Sequence, residues 1–206
     1  MTKKPAYILG AGGHAHVIAS LLDVPVTFVV PDPVDESHID TEEFFREIDL
    51  YRSSSIFIGI GDNAVRRGLF ERLQGLDVTP AICVARHSFV ARDAHLGPGT
   101  VLCPGSVIGS RAQVGANTIV NTLSSIDHDC TLGDHSQVAG GVTFAGRVST
   151  GPRCFFGVKC SIVPGVSIGA DVVVMAGALV TRDVPDGVMV GGTPARIFRN
   201  LQRESE

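Results

Sequence analysis

A six-residue period runs without insertion from residue 84 to residue 185 and constrains the fold of about half of this chain. The hexads read VARHSF, VARDAH, LGPGTV, LCPGSV, IGSRAQ, VGANTI, VNTLSS, IDHDCT, LGDHSQ, VAGGVT, FAGRVS, TGPRCF, FGVKCS, IVPGVS, IGADVV, VMAGAL and VTRDVP. Their first position is apolar except at Thr150, and their fifth is Ser, Ala, Thr, Cys or Val. Such short-period self-similarity predicts a solenoid of parallel β-strands.

Each hexad predicts one short strand and one turn, so that three hexads form a triangular coil of eighteen residues. Stacked coils are separated by the strand spacing of ~4.8 Å. First and fifth positions point into the prism, while the middle positions lie at the turns, where Gly, Asn and Asp tolerate unusual dihedral angles. The hexad resembles that of the hexapeptide-repeat left-handed β-helix. The left hand comes from this resemblance, because chain chirality alone favours right-handed crossovers.

Residues 1–80 have a different pattern, in which strands and helices alternate. The segments AYIL, VTFVVPD and SIFIGIG predict strands, and GGHAHVIASLL, DTEEFFREIDLYRS and NAVRRGLFERLQGL predict helices, the second with Thr41 as its N-cap. The segment is too short for two mononucleotide-binding halves and predicts a truncated Rossmann-like α/β unit. We therefore expect a Rossmann-like domain at 1–80 and a β-helix at 81–206, with residues 186–206 covering its last coil.

Composition limits the compartment and the partners of the chain. A net charge of −4 argues against a nucleic-acid partner. No apolar run approaches the ~18 residues that span a bilayer, and glycines interrupt the N-terminal segment too early for a signal peptide. The five cysteines have no CxxC spacing, and three of them occupy fifth hexad positions, which predicts buried thiols in a reduced, cytoplasmic protein.

A glycine turn in the first domain is a candidate phosphate site. Residues 10–15 fit G-x-G-x-x-A between a strand and a helix, where backbone amides and the helix dipole favour a pyrophosphate. Asp32 follows about twenty residues later at the end of the second strand, a common place for a carboxylate that binds a nucleotide. The alternative is a tight turn that binds nothing. His14 is a candidate ligand contact, whereas His16 is interpreted as structural.

The hexad period also predicts a site on the prism, because residues eighteen apart stack in one column. His128, at a third position, faces outward between Ser110 and Gly146, and Asp129 follows it. Asn121 lies at the turn one hexad earlier and is expected nearby. This group suits acyl transfer, since imidazole serves as general base and a carboxylate fixes its tautomer. A backbone N–H from Gly146 would stabilise the oxyanion, and losing such a donor costs ~3–4 kcal/mol.

A structural interpretation of the same residues remains open. Asp129 is flanked in its column by Arg111 and Arg147 and would then belong to a surface ion-pair ladder worth under ~1 kcal/mol. In that case its carboxylate does not support His128. His135 falls on the next corner, and a carbonic-anhydrase-like zinc site would need three convergent histidines, which the columns do not supply. No metal site is therefore predicted.

Four linked motifs extend along nearly the whole chain: LGAGGHA, GIGDNAVR, NTLSSIDHDCTLGDHSQVAGG and VGGTPARI. With them the chain resembles the bacterial NeuD/PglD-like sugar acyltransferases. The resemblance implies an acetyl-CoA-dependent enzyme that acetylates nucleotide-linked amino sugars, or sialic acids, for surface glycans or protein glycosylation. It also implies a homotrimer with active sites between adjacent prisms and an N-terminal domain that holds the nucleotide sugar.

The resemblance assigns roles to particular residues. His128 matches the catalytic base, Asp129 the acidic residue behind it and Asn121 a polar contact near the reacting group. The positions matching substrate contacts are Gly12, Gly13, His14, Asp32, Gly61 and Asn63. The positions matching coenzyme contacts are Gln137, Val158 and Ala176, although some relatives have His in place of Gln137 and Gly in place of Ala176.

Together these observations predict an N-acetyltransferase in which the amine of a nucleotide-diphospho-amino sugar attacks acetyl-CoA directly. One alternative is O-acetylation of a sialic-acid-like sugar. Another is a non-catalytic solenoid that binds nucleotide sugars, since hexapeptide repeats also build scaffolds. Neither a metal, a nucleic acid nor membrane insertion is expected.

Overall fold

The computed structural model describes residues 4–201 and divides the chain into two compact units, Met1–Cys83 and Val84–Glu206. The part of the expected C-terminal cap at 202–206 lies outside the described residues. No helix in the described range is both long and apolar enough to cross a membrane.

The first unit is a four-stranded parallel sheet with three helices. Its strands are β1 (Ala6–Leu9), β2 (Val26–Val30), β3 (His38–Asp40) and β4 (Ser55–Ile58), arranged β3-β2-β1-β4. Its helices are α1 (Gly13–Ser20), α2 (Thr41–Arg46) and α3 (Asn63–Gln74), with a 3-10 turn at Ile48–Leu50. The order of the strands reverses beside β1, which places the crevice of an open parallel sheet at the carboxyl ends of β1 and β4.

Helix α1 packs closely on this sheet through Ala15 and Ile18, which are fully buried. A Cβ atom at Gly59 would lie 2.6 Å from the Cβ of Ala15 and 2.7 Å from Cγ2 of Ile8. Only glycine permits this approach, so Gly59 fixes the separation between α1 and the end of β4.

Two local features of this unit differ from the sequence prediction. Strand β3 was not predicted, because three half-buried residues give too short a pattern to recognise. Helix α2 is capped by Asp40, whose carboxylate accepts a hydrogen bond from the Glu43 N–H at 2.9 Å, so the prediction of Thr41 as N-cap is wrong by one residue. Since β3 ends at Asp40, the chain passes from strand to helix without a linker.

The second unit is a prism of two-residue strands, each made from the last residue of one hexad and the first of the next. They are β5 (Cys83–Val84), β6 (Phe89–Val90), β7 (His95–Leu96), β8 (Val101–Leu102), β9 (Val107–Ile108), β10 (Gln113–Val114), β11 (Ile119–Val120), β12 (Ser125–Ile126), β13 (Thr131–Leu132), β14 (Gln137–Val138), β15 (Thr143–Phe144), β16 (Ser149–Thr150), β17 (Phe155–Phe156), β18 (Ser161–Ile162), β19 (Ser167–Ile168), β20 (Val173–Val174) and β21 (Leu179–Val180). A closing hairpin consists of β22 (Val188–Gly192) and β23 (Ala195–Asn200).

These strands form three sheets, one on each side of the prism. One contains every third strand from β5 to β20 and then β22 and β23; a second contains every third strand from β6 to β21; the third runs from β7 to β19. We call the turns that follow the strands of these sheets the first, second and third corners, respectively. Apart from the closing hairpin, neighbouring strands are parallel, and residues eighteen apart are in register, as at Ser125 and Thr143.

The predicted interior is confirmed. First-position side chains from Leu102 to Val180 are buried, and the rings of Phe144 and Phe156 meet edge to face with centroids 4.8 Å apart. The polar exception, Thr150, is accommodated because its hydroxyl accepts a hydrogen bond from the Gly133 N–H at 3.1 Å. A Rossmann-like unit followed by a hexapeptide-repeat β-helix of the left-handed class is therefore the fold of this chain.

The fifth position has a polar role that the repeat alone does not reveal. Its hydroxyl or thiol donates to the backbone carbonyl fifteen residues ahead, on the next coil. This occurs at Ser88, Thr100, Ser124, Cys130 and Cys154. Small residues that carry a hydrogen-bond donor thus supply a partner to backbone carbonyls of the next coil.

The fourth position adopts the left-handed backbone region in fourteen consecutive hexads. Their φ values lie between 55° and 76° at Gly99, Gly105, Arg111, Asn117, Leu123, Asp129, His135, Gly141, Arg147, Arg153, Lys159, Gly165, Asp171 and Gly177. From Asn117 onward each of these residues donates its N–H to a third-position carbonyl of the preceding coil, as Asp129 does to Ser110 at 3.0 Å. This bond holds a conformation that non-glycine residues otherwise disfavour by ~1–2 kcal/mol.

We expect Ser124→Ala to destabilise the prism by about 1–3 kcal/mol, because the Ala139 carbonyl loses a buried donor at 2.7 Å. Ser149→Ala removes the same atom from an exposed strand and should change stability by less than about 0.5 kcal/mol. Urea unfolding of both variants tests the difference, and equal midpoints would contradict the role given to the fifth-position hydroxyl.

Candidate functional site

His128 stands on the second corner, in the turn between β12 and β13. Its N–H donates to Asp127 Oδ1 at 2.6 Å, and its carbonyl accepts from the Arg147 N–H at 2.9 Å. The backbone is therefore held by its own turn and by the coil that follows. The side chain projects outward and is 44% exposed, so a substrate can reach the ring.

The imidazole is oriented by the next residue. His128 Nδ1 lies 2.7 Å from Asp129 Oδ2. Hydrogen bonds from Arg111 and then from His128 hold the pKa of the Asp129 carboxyl well below its usual range. An ionised carboxylate only accepts hydrogen bonds, so Nδ1 carries the proton and Nε2 of the neutral ring keeps its lone pair. This is the tautomer that a general base requires.

Gly146 lies directly beside Nε2 of the His128 ring. A Cβ atom at this position would be 2.5 Å from both Nε2 and Cε1 of His128, so any side chain would displace the ring. Among residues 4–201, no group accepts a hydrogen bond from the Gly146 N–H. The glycine thus gives the ring its position and leaves an uncommitted donor next to Nε2.

The structure combines the two interpretations of Asp129. Arg111 Nε binds Oδ1 at 2.6 Å and Arg111 Nη2 binds Oδ2 at 2.9 Å, while Oδ2 also accepts from His128. The carboxylate therefore belongs to an ion pair and to the imidazole pair at once. Arg147, the other neighbour in the column, makes no described side-chain bond to Asp129.

The expected cluster of Asn121 with His128 is not formed within one chain. Asn121 follows β11 and lies on the first corner, whereas His128 follows β12 and lies on the second. The Oδ1 atom of Asn121 accepts a hydrogen bond from the Thr122 N–H at 2.7 Å. The sequence prediction placed the two residues one hexad apart but overlooked that each hexad moves the chain to a new corner.

The three candidate coenzyme contacts also lie on the first side of the prism. Gln137 is in β14 with its side chain on the outer face, and Val158 and Ala176 occupy third positions on the first corner, one coil apart. Val158 and Ala176 are exposed. Val158, Ala176 and Asn121 thus share a corner that does not carry His128.

The candidate substrate residues of the first unit collect at the carboxyl edge of its sheet. Gly12 and Gly13 begin α1 after β1, Asp32 follows β2, and Gly61 and Asn63 follow β4. A Cβ atom at Gly12, Gly13 or Gly61 would meet nothing within 4 Å, so the backbone there is open to a ligand. Asp32 is exposed.

A buried arginine that the sequence analysis did not identify organises this edge. Arg66 is 1% exposed, and its guanidinium donates to the Gly61 carbonyl at 2.9 Å and to Asn63 Oδ1 at 2.7 Å. The signal was present in GIGDNAVR, because Arg66 stands three residues after Asn63 on the same helix face.

His14 is held neutral at the same edge. Burial, and secondarily the charge of Arg66, lower the pKa of His14 to about 4. Its Nε2 atom is buried and has no hydrogen-bond partner among residues 4–201. Buried polar atoms are normally paired, so this nitrogen is a candidate contact for a bound molecule.

Metal chemistry and thiol chemistry receive no support from the described residues. Within residues 4–201 there is no group of three His, Cys, Asp or Glu side chains that could hold a metal ion. The five cysteines are buried and form no disulfide within residues 4–201, and burial raises the pKa of Cys103 and Cys154 to about 11.

The chain is similar to known acetyltransferases along 95% of its length. Residues 6–73 match the PglD N-terminal domain, and residues 147–182 match the hexapeptide repeat of succinyl-transferase. PerB from Caulobacter crescentus, solved with CoA and GDP-perosamine, is 32% identical, with 95% of this chain and 97% of that chain covered and a TM-score of 0.88. The acetyltransferase domain of PglB from Neisseria gonorrhoeae is 25% identical, with 95% and 100% covered and a TM-score of 0.88.

Among curated sequences, YvoF of Bacillus subtilis is 34% identical over 107 residues, which are 52% of this chain and 58% of that protein. GlmU of Clavibacter sepedonicus is matched over 27% of its length. The chain thus spans less than two thirds of the length of these curated relatives. With a PglD-type N-terminal domain, a hexapeptide prism and full-length similarity to PerB, the chain belongs to the PglD/NeuD-type family of sugar acyltransferases.

Proposed function

We propose that the protein is an acetyl-CoA-dependent N-acetyltransferase whose acceptor is the amine of a nucleotide-diphospho-amino sugar, used in making surface glycans or glycoproteins. The observation that carries this proposal is the outward-facing His128, whose Nδ1 is committed to the ionised Asp129 and whose Nε2 is left as a base. The PerB structure, solved with CoA and GDP-perosamine, supports this class of substrates.

The site suggests a direct transfer. The sugar amine attacks the carbonyl carbon of the thioester, and His128 Nε2 takes a proton from the nitrogen as the C–N bond forms. Asp129 stabilises the imidazolium, and the Gly146 N–H stabilises the negative oxygen of the tetrahedral intermediate. The intermediate then breaks its C–S bond, the sulfur receives the proton, and the products are the N-acetyl sugar and free coenzyme A.

We assign the nucleotide part of the substrate to the first unit. The N-terminus of α1 offers open backbone at Gly12 and Gly13, where amide groups and the helix dipole favour a diphosphate. The neutral His14 supplies a buried nitrogen without a partner. The remaining proposed contacts with the nucleotide sugar are Asp32, Gly61 and Asn63.

We further propose that the working form is a homotrimer in the cytoplasm, where acetyl-CoA is made. The proposed coenzyme contacts Val158 and Ala176 lie on the first corner, as does Asn121, and Gln137 lies in strand β14 of the first sheet, whereas His128 lies on the second corner. A second copy would bring its first corner to this His128, and such a head-to-tail interface between two different surfaces closes into a ring when it is repeated around a three-fold axis.

Replacing His128 with Ala should lower kcat/KM at neutral pH by about 10²–10⁴-fold, since the amine then loses its proton without a positioned base. Thiol release from acetyl-CoA measures the rate across pH. Part of the loss should be recovered at high pH, where more of the amine is already deprotonated. Undiminished kcat/KM at every pH would remove the base role.

An acceptor panel distinguishes the proposed function from its alternatives. A nucleotide-linked amino sugar should release coenzyme A faster than the analogue with a hydroxyl group at the same carbon. The reverse preference, or acetylation of a free sialic-acid-like sugar, would indicate O-acetylation. Nucleotide-sugar binding without thiol release from any acceptor would indicate a non-catalytic protein.

Mixed oligomers test whether two copies share a site. His128→Ala and Val158→Arg should each inactivate the protein, the second by filling the exposed first corner. If each site combines these residues from different copies, co-expressed variants should recover about one quarter of the wild-type activity, because one interface in four then has both native residues. Recovery would be absent if each chain used its own two residues or if the protein were monomeric.

A further inference from the structure

We propose that Arg111 is a positioning residue for the His128 base: by binding both oxygens of Asp129 it fixes the direction of the carboxylate and limits how strongly Asp129 favours the protonated imidazole. This inference rests on the proposed function, in which His128 must be neutral to accept a proton. It concerns a residue one coil away that does not touch the reacting atoms.

The geometry follows from the repeat. Arg111 and Asp129 are both fourth-position residues in the left-handed region, eighteen residues apart, so their side chains start from equivalent points on adjacent coils. The guanidinium presents Nε and Nη2 as a fork to the two carboxylate oxygens at 2.6 and 2.9 Å. A bidentate pair restricts rotation of the carboxylate, which leaves Oδ2 directed at His128 Nδ1.

Stability alone does not account for this pair. The side chain of Arg111 is 62% exposed and that of Asp129 is 33% exposed, and exposed ion pairs typically contribute under ~1 kcal/mol. The effect on the neighbouring imidazole is more specific. Asp129 alone favours the protonated imidazole by its negative charge, and the adjacent guanidinium opposes that effect by its positive charge and by sharing Oδ2.

The other charged groups near the ring and its carboxylate lie on several coils. Asp127 belongs to the same turn and accepts the His128 N–H. Asp93, one coil before Arg111 and two coils before His128, accepts from Ser110, whose hydroxyl is 3.4 Å from Arg111 Nη1. Arg147, on the following coil, contacts His128 through its backbone. Of these cations only Arg111 binds the carboxylate that holds the imidazole.

The chain contains a matched control. Arg153 and Asp171 occupy fourth positions on the third corner, one coil apart, and form the same fork, with Nε–Oδ1 at 2.7 Å and Nη2–Oδ2 at 2.6 Å. The residue before Asp171 is Ala170, so this pair holds no imidazole. Loss of either pair should cost the prism a similar, small amount of stability, but only the Arg111 pair should affect the base.

The test is a pH titration of the His128 ring by NMR of protein labelled with ¹⁵N-histidine, with the His128 signals assigned from their absence in His128→Gln. Arg111→Gln should raise the pKa of His128 by about 0.5–1 pH unit, because one positive charge is removed from beside the imidazolium. Arg153→Gln should leave it unchanged. Arg111→Lys, which keeps the charge without the fork, should lie between wild type and Arg111→Gln.

The pH profile of kcat/KM provides the second readout. In Arg111→Gln its acidic limb should move up by the same amount as the ring titration, so that the rate falls most at low pH and recovers as pH rises. Asp129→Asn should move the ring pKa the opposite way, since it removes the negative charge. Equal ring titrations in Arg111→Gln and Arg153→Gln would overturn the inference.

The titration of the His128 ring does not require turnover, so the proposed function and the positioning role of Arg111 are tested independently. Absence of thiol release by the wild-type protein would reject the proposed function while the ring titration still measured the influence of Arg111. An active wild-type protein with an unshifted His128 titration in Arg111→Gln would reject the positioning role alone.

Discussion

The left-handed backbone conformation of the fourth hexad position determines how this prism displays its side chains. Asp129 has a φ of 59° and Arg111 one of 57°. From Asn117 onward a hydrogen bond from the N–H to the preceding coil holds this conformation, as at Asp129 and the Ser110 carbonyl. Side chains at this position therefore start from the same point on every coil, and a fork of arginine on aspartate forms twice, at 111/129 and at 153/171. Only the first fork follows a histidine. The proposed chemistry thus depends on a histidine that directly precedes one of two equivalent ion pairs.

Much of the architecture could be predicted from the sequence, because one period determines strand, corner and column together. The same period placed His128 outward and Gly146 beside it, and the structure adds that the ring lies so close to Gly146 that no Cβ atom fits. Other features depend on side-chain orientations, which a sequence pattern does not determine. Whether Asp129 binds the arginine or the histidine depends on the orientation of its carboxylate, and in the structure the two oxygens bind both.

Errors of the sequence prediction have equally local causes. The Asn121 prediction used linear proximity where the prism turns by one corner per hexad, so six residues along the chain separate two different corners. Arg66 was overlooked because a charged residue on a helix is normally solvated, whereas here carbonyl and amide acceptors at the end of β4 permit its burial. That these acceptors compensate for the burial of the Arg66 charge can be recognised only from their positions in the structure.

Inward and outward positions of the hexad contribute differently to stability, so residues of this site can be replaced without unfolding the protein. First- and fifth-position side chains supply the buried apolar surface and the buried hydrogen bonds, and replacing them costs stability. The outward third and fourth positions contribute little to the core, so Arg111 and Arg153 can be replaced at similar, small structural cost. A difference between these two variants in the titration of His128 would then report on electrostatics at the imidazole rather than on the integrity of the prism.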